Sequence, residues 1–310
     1  MPLADDVSRV VSAHGCWPPP HAQSSVFHHL PVELVRRVFE LAAAERGTAC
    51  ALCLVCSDVN EWMTPMLYDT VIFDDCAVEA YNAFYEVYPV RRAAAKMRHV
   101  LVRTSHCTLN LKDCTGLRAL NVHSSQFIAK PSHYPPASPT LRYLTLRGYP
   151  RTNRLDLPFL KSVTHLSLYD IMPSPQLLPA WATNLPNLTH LMCNHEGQGL
   201  TSLQSSIPAF LAALRSFPHL RVVAVYVLRA LARTPDVRTA VSPIVADAAV
   251  GHLQLVINRG ERITCSQWED WSKGRGPSIW DRIDRDLNTA RGYTCARSCR
   301  TGAQGCACCA

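Results

Sequence analysis

From Pro31 onward, apolar and polar positions alternate with a helical period. Leu34, Val38 and Leu41 recur at i, i+4 and i+7, and Val35, Phe39 and Ala42 form a second stripe beside them. Arg36, Arg37 and Glu40 occupy the remaining face. Proline suits a first helical position, where its missing N–H would be unpaired anyway, so the pattern predicts a helix opening at Pro31. Its apolar arc covers more than half the circumference, more than a small core of its own requires. Two stripes imply two partners, one inside the domain and one outside. Gly47 interrupts the pattern, and Ala49 to Val55 restarts it as a short apolar helix. Ser57 or Asp58 is placed to cap a third helix through Val59, Trp62 and Met63. Pro65 should kink or end that helix before Leu67-Tyr68.

Beyond Thr70 the texture changes. Val71-Ile72-Phe73 reads as a strand, and Ala77 to Lys96 as a helical stretch with Tyr81, Phe84, Tyr85 and Tyr88. An apolar-x-x-apolar-x-apolar pattern then returns six times, with middle positions Val100, Leu120, Leu144, Leu166, Leu191 and Val223. The intervals of 20, 24, 22, 25 and 32 residues match leucine-rich repeats of about 20–29 residues, with one overlong unit. Gly251 to Asn258 is a further strand candidate. Each short strand needs neighbours to bury its apolar side, so stacked units share one continuous core. The stretch from Pro131 to Pro139 interrupts the second unit, and only Asn194 stands near the usual asparagine place, so a regular asparagine ladder is absent. These departures predict an irregular solenoid.

Composition narrows the picture. The chain has 310 residues, 48% hydrophobic and 18% charged, enough for one small module and a larger domain. Its net charge of +7 is spread along the chain rather than clustered, which argues against nucleic-acid binding. The first twenty residues lack the basic and apolar regions of a secretory signal, and no apolar run reaches membrane-spanning length. Fourteen cysteines are therefore expected as thiols in a reducing compartment, cytoplasm or nucleus.

Candidate chemistry is sparse. Cys50, Cys53 and Cys56 open like an iron–sulfur run but lack the fourth ligand, so they read as packing residues. Cys295, Cys299, Cys306, Cys308 and Cys309 could hold zinc, though their spacing fits no zinc ribbon and the tail has little apolar support. His165 and His190 could share a metal but have no third ligand in sight. Nucleophile-elbow, phosphate-loop, dinucleotide and zinc-protease motifs are missing, so no cofactor and no enzymatic activity are expected. Strand alternation instead predicts a surface. One column carries His99, Ala119, Tyr143, His165, His190 and Val222; a second carries Arg103, His123, Arg147, Tyr169, Asn194 and Tyr226. Both are expected to face solvent, either as a binding surface rich in Arg, His and Tyr or as an ordinary solvated sheet face.

Leu30-Pro31-x-Glu33-Leu34, the Val38/Leu41 stripe, Cys53-Leu54-Val55-Cys56, Trp62 and Leu67-Tyr68-x-Thr70 together resemble an F-box. With the strands that follow, and with Trp268-Glu269-Asp270-Trp271 and Ser278-Ile279-Trp280 as a closing segment, the chain resembles the large fungal class of F-box proteins with a leucine-rich-repeat-like region. The resemblance implies an α/β architecture with a three-helix F-box over 26–70 and a parallel-stranded repeat domain over 71–290; the lead-in over 1–25, read from its low periodicity and prolines, and the Cys-rich tail over 291–310 lie outside it. It implies a substrate-recognition adaptor of an SCF-type ubiquitin ligase. Leu30, Pro31, Leu34, Val35, Val38, Val55 and Leu67 would contact the adaptor subunit that bridges to the cullin. The columns His99, Tyr143, His165, His190 and Arg103, His123, Arg147, Tyr169, Asn194, Tyr226 would bind an unknown protein target, with no role for nucleic acid or membrane. Alternatives from other classes are a repeat scaffold whose F-box-like helices cap the solenoid, and a zinc protein using the C-terminal thiols.

Overall fold

The structure is a computed structural model. It describes residues 30–43, 45–84, 93–105, 109–125, 131–135, 138–148, 155, 157–169, 173–195, 209–227, 254–258, 265–285 and 287. The lead-in, Tyr85, Tyr88 and the five tail cysteines lie outside the described residues. The chain forms two compact units that divide between Met63 and Thr64.

The first unit is helical. Helix α1 spans Val32–Ala42, with Pro31 at the cap, one position before the first helical residue. The Pro31 carbonyl accepts the N–H groups of Leu34 at 2.9 Å and Val35 at 3.1 Å. Glu33 sits in the first turn, where a carboxylate favours the helix dipole. Helix α2 spans Arg46–Leu52, so Gly47 lies within it and does not break it. Its side is open, with nothing near a would-be Cβ. Tight bonds from Leu54 N to Ala51 O and Val55 N to Leu52 O end α2 early and turn the chain. Helix α3 spans Ser57–Asp69. Cys56 precedes it and accepts the Asn60 N–H, so neither Ser57 nor Asp58 is the cap. Pro65 does not end α3 but sits inside it, leaving the Glu61 carbonyl without its usual helical donor.

The second unit is an α/β body on an eight-stranded sheet. Its strands are β1 Thr70–Phe73, β2 His99–Val102, β3 Ala119–His123, β4 Tyr143–Arg147, β5 His165–Tyr169, β6 His190–His195, β7 Val222–Val227 and β8 Gln254–Asn258. They lie in sequence order, and every neighbouring pair is parallel. The register aligns Val71, Val100, Leu120, Leu144, Leu166, Leu191, Val223 and Leu255 in one row. One backbone device recurs at five successive steps, from β2 to β7. The carbonyls of Arg98, Arg118, Arg142, Thr164 and Thr189 each accept two successive N–H groups from the start of the next strand. Threonine hydroxyls reinforce it, Thr140 donating to Leu117 O at 2.8 Å and Thr189 to Thr164 O at 3.0 Å.

Alternation along the strands gives the sheet two faces. On one, the apolar row from Val71 to Val223 packs in a large core with Leu117, Leu141, Phe159, Leu160, Trp181, Leu185 and Phe217 from the connecting segments. Helix α4 (Asp75–Phe84) belongs to these connections; Asp74 caps it by accepting the Ala77 N–H at 2.9 Å. So do the 3-10 turns Pro131–His133 and Pro158–Ser162 and helix α5, Leu178–Asn184. The Pro-rich excursion returns to the core through Tyr134, stacked on Phe159 at 5.2 Å.

The other face carries C-terminal helices: α6 (Cys265–Ser272) and a helical segment over 279–285. Ser278 and Asp281 form a reciprocal cap at the start of that segment. Asp281 N donates to Ser278 Oγ at 3.0 Å, and Ser278 N donates to Asp281 Oδ2 at 2.7 Å. Leu101, Ala119 and Trp268 form one buried cluster, with Ile72, Tyr143 and Trp271 against it. Tyr169, Met192, Val222, Ala224, Trp280 and Ile283 form a second. The expectation that this face is open to solvent therefore fails. Alternation assigns side chains to a face, but only the distant Trp-bearing segment decides that the face is covered.

Candidate functional site

Two features stand out, one in each unit. The first is the outer stripe of α1. Leu34 is 53% exposed, Val38 48% and Leu41 63%, and no residue of the helix is fully buried. Leu54 and Val55, in the turn after α2, are 86% and 60% exposed. The inner stripe behaves differently: Val35 and Phe39 are half-buried, and Phe39 meets Trp62 of α3 at 6.3 Å. On the polar side, Arg36 and Arg37 pair with Glu40 at 2.9 and 3.2 Å, which holds the Glu40 carboxyl below its ordinary pKa. Of the residues that the resemblance assigns to adaptor contact, Leu30, Pro31, Leu34, Val38 and Val55 are exposed in the first unit, and Val35 is half-buried. Leu67 is half-buried and belongs to the second unit. Leu41 and Leu54 extend the exposed set; the i+7 spacing pointed to Leu41, whereas Leu54 lay in a segment expected to be helical.

The cysteines beside this stripe do not pack as expected. Cys50, on the outer side of α2, and Cys56, after the turn that follows Leu52, are both exposed. Only Cys53 is half-buried; burial, then the neighbouring Cys50, pushes its thiol pKa up.

The second feature is the covered sheet face. The register brings His99, Ala119, Tyr143, His165, His190 and Val222 into one row. Ala119 is the small member, and the Trp268 indole fills the room it leaves. Trp271 meets His99 at 6.0 Å and Tyr143 at 5.1 Å; Tyr143 meets His165 at 4.8 Å. His165 and His190 stack at 4.3 Å with Trp280 edge-on to both, and Asp284 stands 3.7 Å from His190 Nε2.

Thr164 Oγ1 lies 2.7 Å from His165 Nδ1 and 3.3 Å from Arg142 O, and Thr189 Oγ1 lies 2.7 Å from His190 Nδ1 and 3.0 Å from Thr164 O. Burial, reinforced by His190 and opposed by Asp281, lowers the His165 pKa to about 3. Burial also lowers that of His190. Both rings are therefore neutral near pH 7. Among the described residues they gather no third ligand for a metal.

The second expected column is only partly available. Arg103 is exposed. Arg147 reaches across β3, and its guanidinium donates to the carbonyls of Val102 and Arg103. His123 Nδ1 bonds to Ser125 Oγ at 2.8 Å, and that hydroxyl lies 3.2 Å from Ser105 O. Tyr169 is buried with Trp280 and Ile283. Asn194 and Tyr226 are in register with each other on β6 and β7.

Between the helices and the sheet lies a cavity lined by Tyr143, Thr145, Ser167, Tyr169, Trp268, Trp271, Trp280 and Arg282, among others. Its volume is about 30 Å³, room for water-sized guests. Sequence reasoning located the strand residues but not the cavity; the available signal was that three of the six tryptophans fall between positions 268 and 280.

Compared with known proteins, the chain matches no family model and no curated protein.

Proposed function

We propose that the chain is a substrate-recognition adaptor of an SCF-type ubiquitin ligase. In this reading the helical unit docks the small adaptor subunit that bridges to a cullin, and the sheet unit, read as an irregular leucine-rich-repeat-like solenoid, captures a target protein. The observation that carries it is the outer stripe of α1. Three aliphatic residues at i, i+4 and i+7 stand about half exposed or more on a helix whose other stripe already meets Trp62. A surface of this kind marks an interaction site, and an amphipathic helix offers it in a form a partner's groove can accept.

The sheet order supports the second half of the reading, because each strand touches only its sequence neighbours, as stacked units do. The mechanism is positional. Holding a target lysine near a charged conjugating enzyme raises its effective concentration, so the chain supplies no catalytic group and needs no cofactor. Its place of action is the reducing cytoplasm or nucleus.

Co-purification with the cullin-linked adaptor subunit tests the proposal. The wild-type chain should retain that subunit through gel filtration. Failure to bind it overturns the ligase reading and favours a scaffold whose helices serve only their own chain.

A further inference from the structure

We infer that Cys50 and Cys53 are a redox-active dithiol, which closes to a reversible disulfide by exchange with a small-molecule disulfide such as oxidised glutathione. The inference holds whatever α1 binds.

Backbone geometry brings the two together. Cys50 lies in α2, and Cys53 is its C-cap, still helical at φ −60° and ψ −17°. Cys53 N donates to Ala49 O at 3.1 Å, so the α-helical turn runs unbroken from Cys50 to Cys53. Residues three apart on such a turn have Cα atoms about 5 Å apart, within the range of about 4.4–6.8 Å that a disulfide spans. Burial first, and Cys50 second, raise the Cys53 thiol pKa, as a charge on a neighbouring sulfur would. The third thiol stands apart. Cys56 follows the tight bonds of Leu54 N to Ala51 O and Val55 N to Leu52 O, which turn the chain before α3. Among the described residues no three such side chains gather as metal ligands, so the chemistry open to Cys50 and Cys53 is that of a pair.

Exposure orders the steps. Cys50 is exposed and Cys53 half-buried. Gly47, one turn before Cys50 on the same face, has nothing within 4 Å of a would-be Cβ, so a glutathione-sized molecule meets no wall there. The Cys50 thiolate attacks one sulfur of the oxidant; a bond forms to Cys50, the oxidant's S–S bond breaks, and one glutathione leaves as thiolate. The Cys53 thiolate then attacks the Cys50 sulfur and expels the second. Two electrons pass from the protein sulfurs to glutathione, and the two thiol protons end on the departing thiolates.

Reversibility follows from strain. Cβ atoms three positions apart on a helix stand about 5–6 Å apart, whereas a disulfide holds them about 3.8 Å apart. Closing the bond distorts the last turn of α2, beside exposed Leu54 and Val55. Strained or exposed disulfides are the readily reduced kind.

The test equilibrates the full chain at fixed oxidised and varied reduced glutathione, with the fold checked by circular dichroism. Free thiols are blocked with one maleimide, disulfides are reduced, and the released thiols take a heavier one. Fragment-ion mapping of the tryptic peptide over 47–91 reads each cysteine separately. Cys50 and Cys53 should gain the heavy tag along one curve, independent of protein concentration, while Cys56 gains little. A tenfold rise in reduced glutathione should lower the pair's oxidised-to-reduced ratio about a hundredfold, because closure releases two glutathiones. Cys53→Ser should trap Cys50 as its glutathione adduct, and Cys56→Ser should leave the pair's curve in place. The inference is overturned if Cys50 and Cys53 follow separate curves, or if Cys53 pairs with Cys56. It is also overturned if the ratio falls only tenfold, as for a single glutathione adduct, or if excess reduced glutathione fails to reopen the bond.

Discussion

The imidazoles of His165 and His190 lie face to face, 4.3 Å apart and 10° from parallel, under the edge of the Trp280 indole. Two neutral rings stack without penalty, but a proton on either would be held in a dry place beside its neighbour. Burial first, and His190 second, bring His165 to about pKa 3 in the folded chain, against about 6.5 when unfolded. The unfolded chain therefore takes up the proton first as pH falls. The contribution of His165 is complete above about pH 6.5 and is lost progressively towards pH 3, amounting to roughly 2 kcal/mol by pH 5. Thermal melts from pH 7 to 5 should show this loss, and His165→Gln should reduce it. Equal pH dependence in both proteins would contradict the assignment.

Gly148 and His123 are matched by necessity. Gly148 has φ +74°, and a Cβ there would stand 2.6 Å from His123 Cε1. Gly148→Ala should cost about 2–3 kcal/mol in denaturant unfolding, combining the left-handed backbone with the clash. Adding His123→Ala should recover the clash and leave about 1–2 kcal/mol of backbone strain. Purely additive losses would show that the two residues do not meet.

Trp181 is fully buried in the main core, yet its indole N–H has no hydrogen-bond partner among the described residues. Trp181→Ala should cost about 3–5 kcal/mol through the cavity it opens. Trp181→Phe should cost under about 2 kcal/mol, because losing an unpaired buried donor offsets part of the lost volume. Equal losses would mean that the N–H is satisfied in solution.

Thiol labelling should separate two classes of cysteine. Cys50 and Cys56 are exposed, whereas Cys114 and Cys193 are buried, and burial pushes the Cys114 thiol up to about pKa 12 and that of Cys193 upward as well. Alkylation of the native chain followed by peptide mass spectrometry should modify the first pair rapidly. The second pair should react only on unfolding. Protection of Cys50 and Cys56 would restore the packing role that the sequence suggested for them.

The strands were legible because each repeats the same local problem. An apolar-x-x-apolar-x-apolar segment must bury one side, and Val100, Leu120, Leu144, Leu166, Leu191 and Val223 do so in a single row. The outward stripe of α1 was legible for a similar reason, since Leu34, Val38 and Leu41 had no place in a core that Val35 and Phe39 already face. What could not be read was long-range. Nothing near Tyr143 or His165 announces Trp271 or Trp280, more than a hundred positions later, so a covered face looked like an open one. Local detail failed at single breaker residues that a helix absorbs, as at Pro65 inside α3 and the exposed Gly47 inside α2.

The central claim is that the outer stripe of α1 docks the cullin-linked adaptor subunit. The most direct measurement is the affinity of that subunit for the wild-type chain, for Leu34→Asp with Val38→Asp, and for Arg36→Glu on the polar side, each first shown by circular dichroism to be folded. The account predicts tight binding by the wild type, a loss of at least about a hundredfold in the apolar pair, from two residues worth about 1.5–3 kcal/mol each, and little change in Arg36→Glu. Unchanged binding by the folded apolar pair, or no binding by the wild type, would contradict it.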